Sequence, residues 1–314
     1  MVESAGHLSL TQLATLLEFS RRRTLAAAGD ALGYTPGAVS QHVSALERAV
    51  GVALVQRVGR QLRLTEAGYV LAQRAERILA EEREALRAVA SLRGTIAGPF
   101  SVGTWGSTAA ALLAPVVKSM SVSHPHLVIC SKELDLDEAA AAVRHGTVDV
   151  AFGLDYEDSP LPRHSEVVIA RVLEEEFSIA VAHDAGATSP AEARELSSFS
   201  WILAPVSTQY GRAMRAALRK RGVEPRVVHE VTDTAASLQL AAAGLGATVT
   251  TPLMRRLNPS VGIRPLRMRD PFTRQIVLLY SQEHRHAAVE PFHEAVTAAV
   301  ARFAQIREPT EHGE

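Results

Sequence analysis

Cysteine is almost missing from this 314-residue chain: Cys130 is the one example. No disulfide can form within the chain, and no thiolate metal cluster can be built from it. Its neighbours Val128 and Ile129 read as a strand, so Cys130 is expected to be a buried, inert thiol. Lysine is nearly missing too, standing only at positions 118, 132 and 220, and arginine supplies the remaining positive charge. No apolar run approaches the ~18 residues of a membrane span. No basic start followed by an apolar core marks a signal peptide. A cytoplasmic protein without membrane contact is expected. Catalytic signatures are lacking: there is no nucleophile elbow, HExxH, CxxC, phosphate loop or dinucleotide glycine fingerprint. Gly244-Leu245-Gly246 has no third glycine and follows a helical pattern, so it reads as a turn. The twelve histidines are scattered. His124 and His126 flank Pro125 at a turn, and His284 and His286 fall in a polar loop where exposure is expected. No enzyme, no metal site and no cofactor is expected.

Apolar residues make up 47% of the chain, enough for real cores, and the net charge is -1. That average hides an asymmetry. The first 65 residues hold seven Arg against four acids, residues 66–93 hold five of each, and the remainder therefore carries -4. A basic head on a mildly acidic body fits a nucleic-acid-binding module joined to a larger domain.

The head has the right pattern. Leu10, Leu13, Leu16 or Leu17 and Phe19 form one helical stripe; Leu25, Ala28 and Leu32 form a second, broken at Gly33-Tyr34. Thr35 is a good N-cap and Pro36 suits the first helical position. Val39, Val43, Leu46 and Val50 then give a third helix one buried face, ended by Gly51. Residues 52–65 switch to two short strands around Gly59. Three helices and a basic hairpin make a winged helix-turn-helix whose third helix would enter the major groove of double-stranded DNA. Its outward face would be Thr35, Pro36, Gly37, Ser40, Gln41 and Ser44, small and polar. Gln41 can pair with adenine, and Ser40 can donate or accept. Arg57, Arg60 and Arg63 on the wing would meet phosphate. Arg21, Arg22 and Arg23 either do the same or are ordinary solvated charges.

Thr65 caps a further helix running to about residue 92. Leu71, Ala75, Ile78, Ala85, Val89 and Leu92 form its seam, interrupted at Glu82. The near-heptad spacing predicts pairing with another helix rather than packing on the head alone. Beyond a hinge at 94–99, strands alternate with helices to the end of the chain, which argues for parallel α/β sheets. The tail 308–314 is charged and expected to be loose.

The head resembles the LysR-type transcriptional regulators. The stretches that carry the resemblance are Thr24-Leu25-Ala26-Ala27-Ala28 and Leu32-Gly33-Tyr34-Thr35-Pro36-Gly37-Ala38-Val39-Ser40-Gln41-His42-Val43-Ser44-Ala45-Leu46-Glu47. Val50-Gly51, Leu54, Arg57, Arg60, Leu64-Thr65 and Gly68 follow at the family's spacings. Four positions depart from that pattern. Arg23 stands where the family usually has Gly, Gly29 where it often has Ala, Val55 where the wing has Phe, and Pro36 where a DNA-contacting Gln is common. The resemblance implies a winged helix-turn-helix over 1–65, a dimerising linker helix over 66–93, and an effector-binding domain over 94–307. That domain would have two periplasmic-binding-protein-like lobes, 98–170 with 270–305 and 171–269. A small-molecule effector of unknown identity would bind between them, at the carboxyl ends of the strands. Thr104, Trp105, Ser107 and Thr108 fall there, after the first strand, with Phe152 and Gly153 ending another. Ser207, Thr208 and Thr232 would face them from the second lobe. Thr104 and Ser107 can equally be plain helix caps, and Trp105 a core residue or an apolar wall. Partners implied are DNA, a second copy (a dimer, often a tetramer) and RNA polymerase. A solute-binding protein would not need residues 1–92, and a purely architectural DNA binder would not need the rest.

Overall fold

The computed structural model describes residues 7–59, 61–91, 96–157, 159–283 and 285–306; for residues 84, 87, 88, 90, 91, 305 and 306 it describes the backbone alone. The chain divides into two units, Met1–Arg93 with His145–Thr147 and Gly94–Arg144 with Val148–Glu314.

The first unit runs α1 (Leu10–Arg22), α2 (Leu25–Leu32), α3 (Pro36–Val50), β1 (Val55–Val58), β2 (Gln61–Leu64) and α4 (Glu66–Ser91). Local chemistry sets the breaks. Thr24 Oγ1 accepts from the Ala27 amide and Thr35 Oγ1 from the Ala38 amide, each at 3.2 Å, and such caps contribute about 1 kcal/mol. Leu13, Leu16, Phe19, Ala28, Val39, Val43 and Leu46 close over one another as the core. Glu47 Oε1 accepts from the amides of Leu54 and Val55 at 2.9 and 3.2 Å, tying the wing to α3. Gly68 lets α4 approach closely, since a Cβ there would stand 2.1 Å from the Leu54 carbonyl oxygen.

The expected seam of α4 divides in two. Leu71, Ala72 and Ala75 pack into the head's own core. Further along, Ile78, Ala85, Leu86 and Val89 are exposed, Leu86 at 66% and Val89 at 67%. Leu92 lies outside the described residues.

The second unit opens with β3 (Gly98–Thr104), α5 (Gly106–Thr108), a π-helical turn (Ala109–Leu113) and α6 (Ala114–Ser123), which follow one another directly. Next come β4 (Leu127–Glu133), a 3-10 turn (Leu136–Glu138), α7 (Ala139–Arg144), β5 (Val150–Asp155), β6 (Val167–Glu176) and β7 (Ser178–Ala182). Then follow α8 (Ala193–Leu196), β8 (Ser200–Leu203), α9 (Gln209–Lys220), β9 (Arg226–Glu230), α10 (Thr234–Ala242), β10 (Thr248–Thr250) and α11 (Pro252–Arg255). β11 (Ile263–Leu266), β12 (Thr273–Ser281) and α12 (Val289–Ile306) end it.

Its sheets are mixed rather than purely parallel. One has the order β4-β3-β5-β12-β6, with β3 parallel to β4 and β5, and β12 antiparallel to β5 and β6. The other strands form an antiparallel β10-β7-β11 sheet and a parallel β8-β9 pair, joined by one bridge from Trp201 to Ala247. The first sheet holds the chain through Glu176 and regains it at Thr273. The chain passes between the lobes at the β6–β7 and β11–β12 junctions, and β12 returns antiparallel between β5 and β6. Phe100, Phe152, Phe292, Ile276 and Leu278 are fully or almost fully buried on the first side, and Trp201, Ile179, Met214 and Leu218 on the second.

Two expectations about buried and exposed groups reverse. Cys130 is exposed, because β4 is the outer strand of its sheet and leaves alternate side chains uncovered. His286 is buried: its Nδ1 accepts from the Ala288 amide at 2.9 Å, and its ring lies 4.9 Å from that of Phe100. His284 lies outside the described residues. Among the described residues, no helix is long and apolar enough to cross a membrane.

Candidate functional sites

The face of α3 away from its core is open. Val39, Val43 and Leu46 point inward, so helical spacing turns Pro36, Gly37, Ser40 and Gln41 to solvent, all of them exposed, with Ser44 half-buried beside them. Thr35 is exposed, and its hydroxyl is already spent on capping α3. Thr15 Oγ1 lies 2.9 Å from His42 Nδ1, and Tyr34 stands edge-on to that imidazole at 5.2 Å. These contacts fix the roll of α3 against α1.

On the wing, Arg57 lies opposite Leu62, and Arg63 opposite Gln56. Cross-strand partners share a face, so Arg57 and Arg63 leave the ribbon from opposite faces. Both are exposed, and Arg63 also donates to Gln61 Oε1 at 3.2 Å. Arg60 lies outside the described residues. The triple-arginine run is partly committed elsewhere. Arg22 binds Glu18 at 2.7 Å, while Arg21 binds Glu18 at 3.2 Å and Glu76 at 2.7 Å. Burial works to raise the Glu18 carboxyl, but the two guanidinium groups outweigh it and hold it below the usual carboxylate range. Arg23 closes α1 with φ 63°, in the left-handed region.

Within the second unit lies a cavity of about 600 Å³, inside the size range of small-molecule sites. Trp105, Ser107, Ser207, Thr208 and Thr232 line it. Trp105 Nε1 donates to Ser107 Oγ at 3.2 Å, and the indole stands edge-on to Phe152 at 6.4 Å, so Trp105 is wall on one side and core contact on the other. The Thr208 hydroxyl is occupied at the start of α9, accepting from the Gly211 amide at 3.0 Å and donating to the Pro205 carbonyl at 2.8 Å. Thr104, Thr108, Phe152 and Gly153 are buried but do not line the cavity. Phe152 packs against Phe292 in the core, and a Cβ at Gly153 would meet Leu279, Val277 and Leu161 on the other face of β5.

The cavity also brings together residues that strand and helix patterns did not single out. Glu133, Asp135, Asp137 and Glu138 come from the end of β4 and the 3-10 turn, Tyr210 from α9, and Arg274 from β12. The two oxygens of Asp137 accept from the Gln209 amide at 3.1 Å each, so a carboxylate after β4 caps a helix in the other lobe. Burial pushes the Tyr210 phenol up to about 12 against the pull of the Arg274 cation, which keeps it a hydrogen-bond donor. Arg274 and Glu175 face each other in the β12–β6 ladder with both side chains fully shielded. Tyr210 and Arg274 stand far apart in sequence and carry no motif, and the four acids between 133 and 138 form no recognisable one.

A family model described as bacterial regulatory helix-turn-helix protein, lysR family, matches residues 10–69, and one described as LysR substrate binding domain matches residues 93–301. The transcriptional regulator TfdS of Cupriavidus pinatubonensis is 29% identical over 251 residues, 76% of this chain and 80% of that protein. The regulator TcbR of Pseudomonas sp. (strain P51) is 26% identical over 244 residues, 76% of this chain and 81% of that one. Among solved structures, the LysR family regulator CbnR superposes with a TM-score of 0.67 at 22% identity, covering 94% of this chain and 99% of its own. The same protein has been seen bound to its target DNA. Full-length OxyR of Pseudomonas aeruginosa gives 0.68 at 17% identity over 92% of this chain and 95% of its own. These likenesses establish the fold. With a helix-turn-helix head and a substrate-binding domain both matched, the chain belongs to the LysR family of DNA-binding transcription regulators.

Proposed function

We propose that α3 reads base edges through Ser40 and Gln41, with Pro36, Gly37 and Ser44 allowing close approach, while Arg57, Arg60 and Arg63 hold phosphate. What supports this is the exposed small polar face of α3 beside a core that fixes its roll. Wing arginines on opposite faces of the ribbon suit a strand pair entering a groove with phosphates on either side. A bidentate glutamine–adenine contact discriminates by about 1–3 kcal/mol.

The cavity between the lobes is the effector site in this reading, with Trp105, Ser107, Ser207, Thr208 and Thr232 on its wall; Thr104, Thr108, Phe152 and Gly153 act from the core around it. The protein works as a dimer through the second half of α4, whose exposed Ile78, Leu86 and Val89 would be covered by a second copy. Two dimers make the tetramer, and effector-driven change in the lobes alters the spacing of the DNA heads and the access of RNA polymerase. It does so in the cytoplasm, as a regulator and not an enzyme, with no cofactor besides the effector.

The carrying observation is the presence in one chain of that α3 face and of a large cavity lined by both polar and apolar side chains. The test is fluorescence anisotropy of the full-length protein on its own upstream DNA and on unrelated DNA, across a salt series. Preferential binding with a steep salt dependence is expected. Equal affinity for both DNAs would remove base readout by α3, and no binding to either would remove the assignment of the head's outer face.

A further inference from the structure

His145–Thr147 belong with the first unit, although α7 before them and β5 after them belong to the second. Three contacts seat this segment on α4. Gly146 turns with φ 62°, and a Cβ there would stand 2.4 Å from the Cβ of Ala80, so the backbone lies flush on the helix. The Gly146 carbonyl accepts from Arg83 Nη2 at 2.9 Å. The Thr147 hydroxyl donates to Glu76 Oε1 at 2.6 Å, the length of a charge-assisted bond. Two residues on, Asp149 Oδ2 accepts from both the amide and the hydroxyl of Ser101 at 2.7 Å each, which ties the entry of β5 to β3. β3 runs on to Thr104, next to Trp105 of the cavity wall.

The Glu76 oxygen that accepts from Thr147 also takes Arg21 Nη2 at 2.7 Å. Arg21 and Arg22 therefore meet two carboxylates of different kinds. Glu18 stands three and four positions before them on α1 and is a fixed local partner. Glu76 comes from α4, 55 positions away from Arg21. The arginine side chain is 39% exposed and the glutamate 22%, and an ion pair this open to water is weak by itself. The Thr147 hydroxyl is what orients the carboxylate. With Glu76 in place, the charge of Arg21 is answered inside the head. With Glu76 released, a positive charge in the last turn of α1 is left for a phosphate.

We propose that the 145–147 segment is a regulatory latch on DNA affinity. Seated on α4, it holds Glu76 against Arg21 and keeps that cation from the DNA backbone. Drawn away by a shift at the start of β5, it releases Glu76, and Arg21 gains a phosphate. Thr147 acts on DNA through Glu76 without touching it. The inference rests on DNA binding by the head and is independent of which ligand the cavity takes.

The test is fluorescence anisotropy of the full-length protein on an unrelated duplex across a salt series, since a phosphate contact is indifferent to sequence. Thr147→Val removes the hydroxyl and keeps the shape. It should tighten binding about threefold or more and steepen the salt slope by up to about one. Thr147→Ser keeps the hydroxyl and should keep the wild-type affinity. Glu76→Gln should give the same gain as Thr147→Val, and combining the two should add nothing further. Arg21→Ala should change wild-type binding by less than about twofold and abolish the gain in Thr147→Val. Unchanged or weaker binding in Thr147→Val overturns the latch. So does a gain that survives Arg21→Ala, that appears equally in Thr147→Ser, or that adds to the gain of Glu76→Gln.

Discussion

Arg23 shows how a single departure from a family pattern becomes a physical statement. It closes α1 in the left-handed region, where an L-residue is strained by roughly 1–2 kcal/mol. Glycine would relieve that but lose about 0.5–1 kcal/mol through unfolded-chain entropy. Arg23→Gly should therefore raise stability by up to ~1 kcal/mol, read as a higher melting midpoint; a lower midpoint would mean the arginine side chain contributes more than the strain. Gly29 is the converse, because a Cβ there would meet the Tyr34 carbonyl oxygen at 2.5 Å, so the alanine common in relatives of the pattern does not fit this backbone. On the DNA face, Gln41→Ala should weaken binding to the preferred site by roughly tenfold while sparing unrelated DNA. Arg57→Ala and Arg63→Ala should weaken both DNAs alike and each lower the salt slope by about one. Equal loss on both DNAs for Gln41→Ala would reassign it from readout to positioning.

Among the elements, α4 is the one whose pattern carried two meanings at once. Its seam repeats at near-heptad spacing throughout, yet Leu71, Ala72 and Ala75 serve the head's core and only the later positions stay open. Spacing alone cannot assign a stripe to one partner or another, because both want the same face. Leu86→Glu with Val89→Glu should cut self-association by roughly a hundredfold or more, since burying such side chains contributes about 1.5–3 kcal/mol each. Analytical ultracentrifugation reads this directly, and an unchanged oligomer would move the interface away from α4. β6 is hidden from local pattern for a different reason. Its end, Glu174-Glu175-Glu176, resembles a solvated loop, and it is a strand because β12 pairs along its whole length and Arg274 neutralises Glu175.

In the second unit as a whole, the two lobes meet through a contact that crosses the cavity. Asp137, on the turn after β4, accepts from the Gln209 amide at the start of α9, beside Thr208, which caps the same helix from its own lobe. Asp137→Ala should weaken that end by about 1 kcal/mol, as loss of a cap does, and speed hydrogen exchange at the Gln209 amide severalfold. Unchanged exchange would mean that α9 holds its own start without help from the opposite lobe.

The head was legible almost in full because its signals are local. Caps, helix stripes and hairpin turns act within a few residues, and Thr35, Pro36, Gly51 and Thr65 all stand where the chain turns. In the larger unit the alternation of strand and helix was legible, and so were several wall residues of the cavity, Trp105 and Ser107 from one lobe and Thr208 and Thr232 from the other. Strand direction was not, because antiparallel returns such as β12 depend on where the chain re-enters a sheet. Nor was the exposure of Cys130 or the burial of His286, which hang on which strand is outermost and which loop folds over Phe100. By itself the sequence determined the periodicities, the caps and the family. Only the tertiary structure decided that Glu175 and Arg274, 99 positions apart, would stand opposite each other with one guanidinium nitrogen left unpaired. The physical reason is register: cross-strand neighbours are chosen by long-range pairing, which no local pattern encodes.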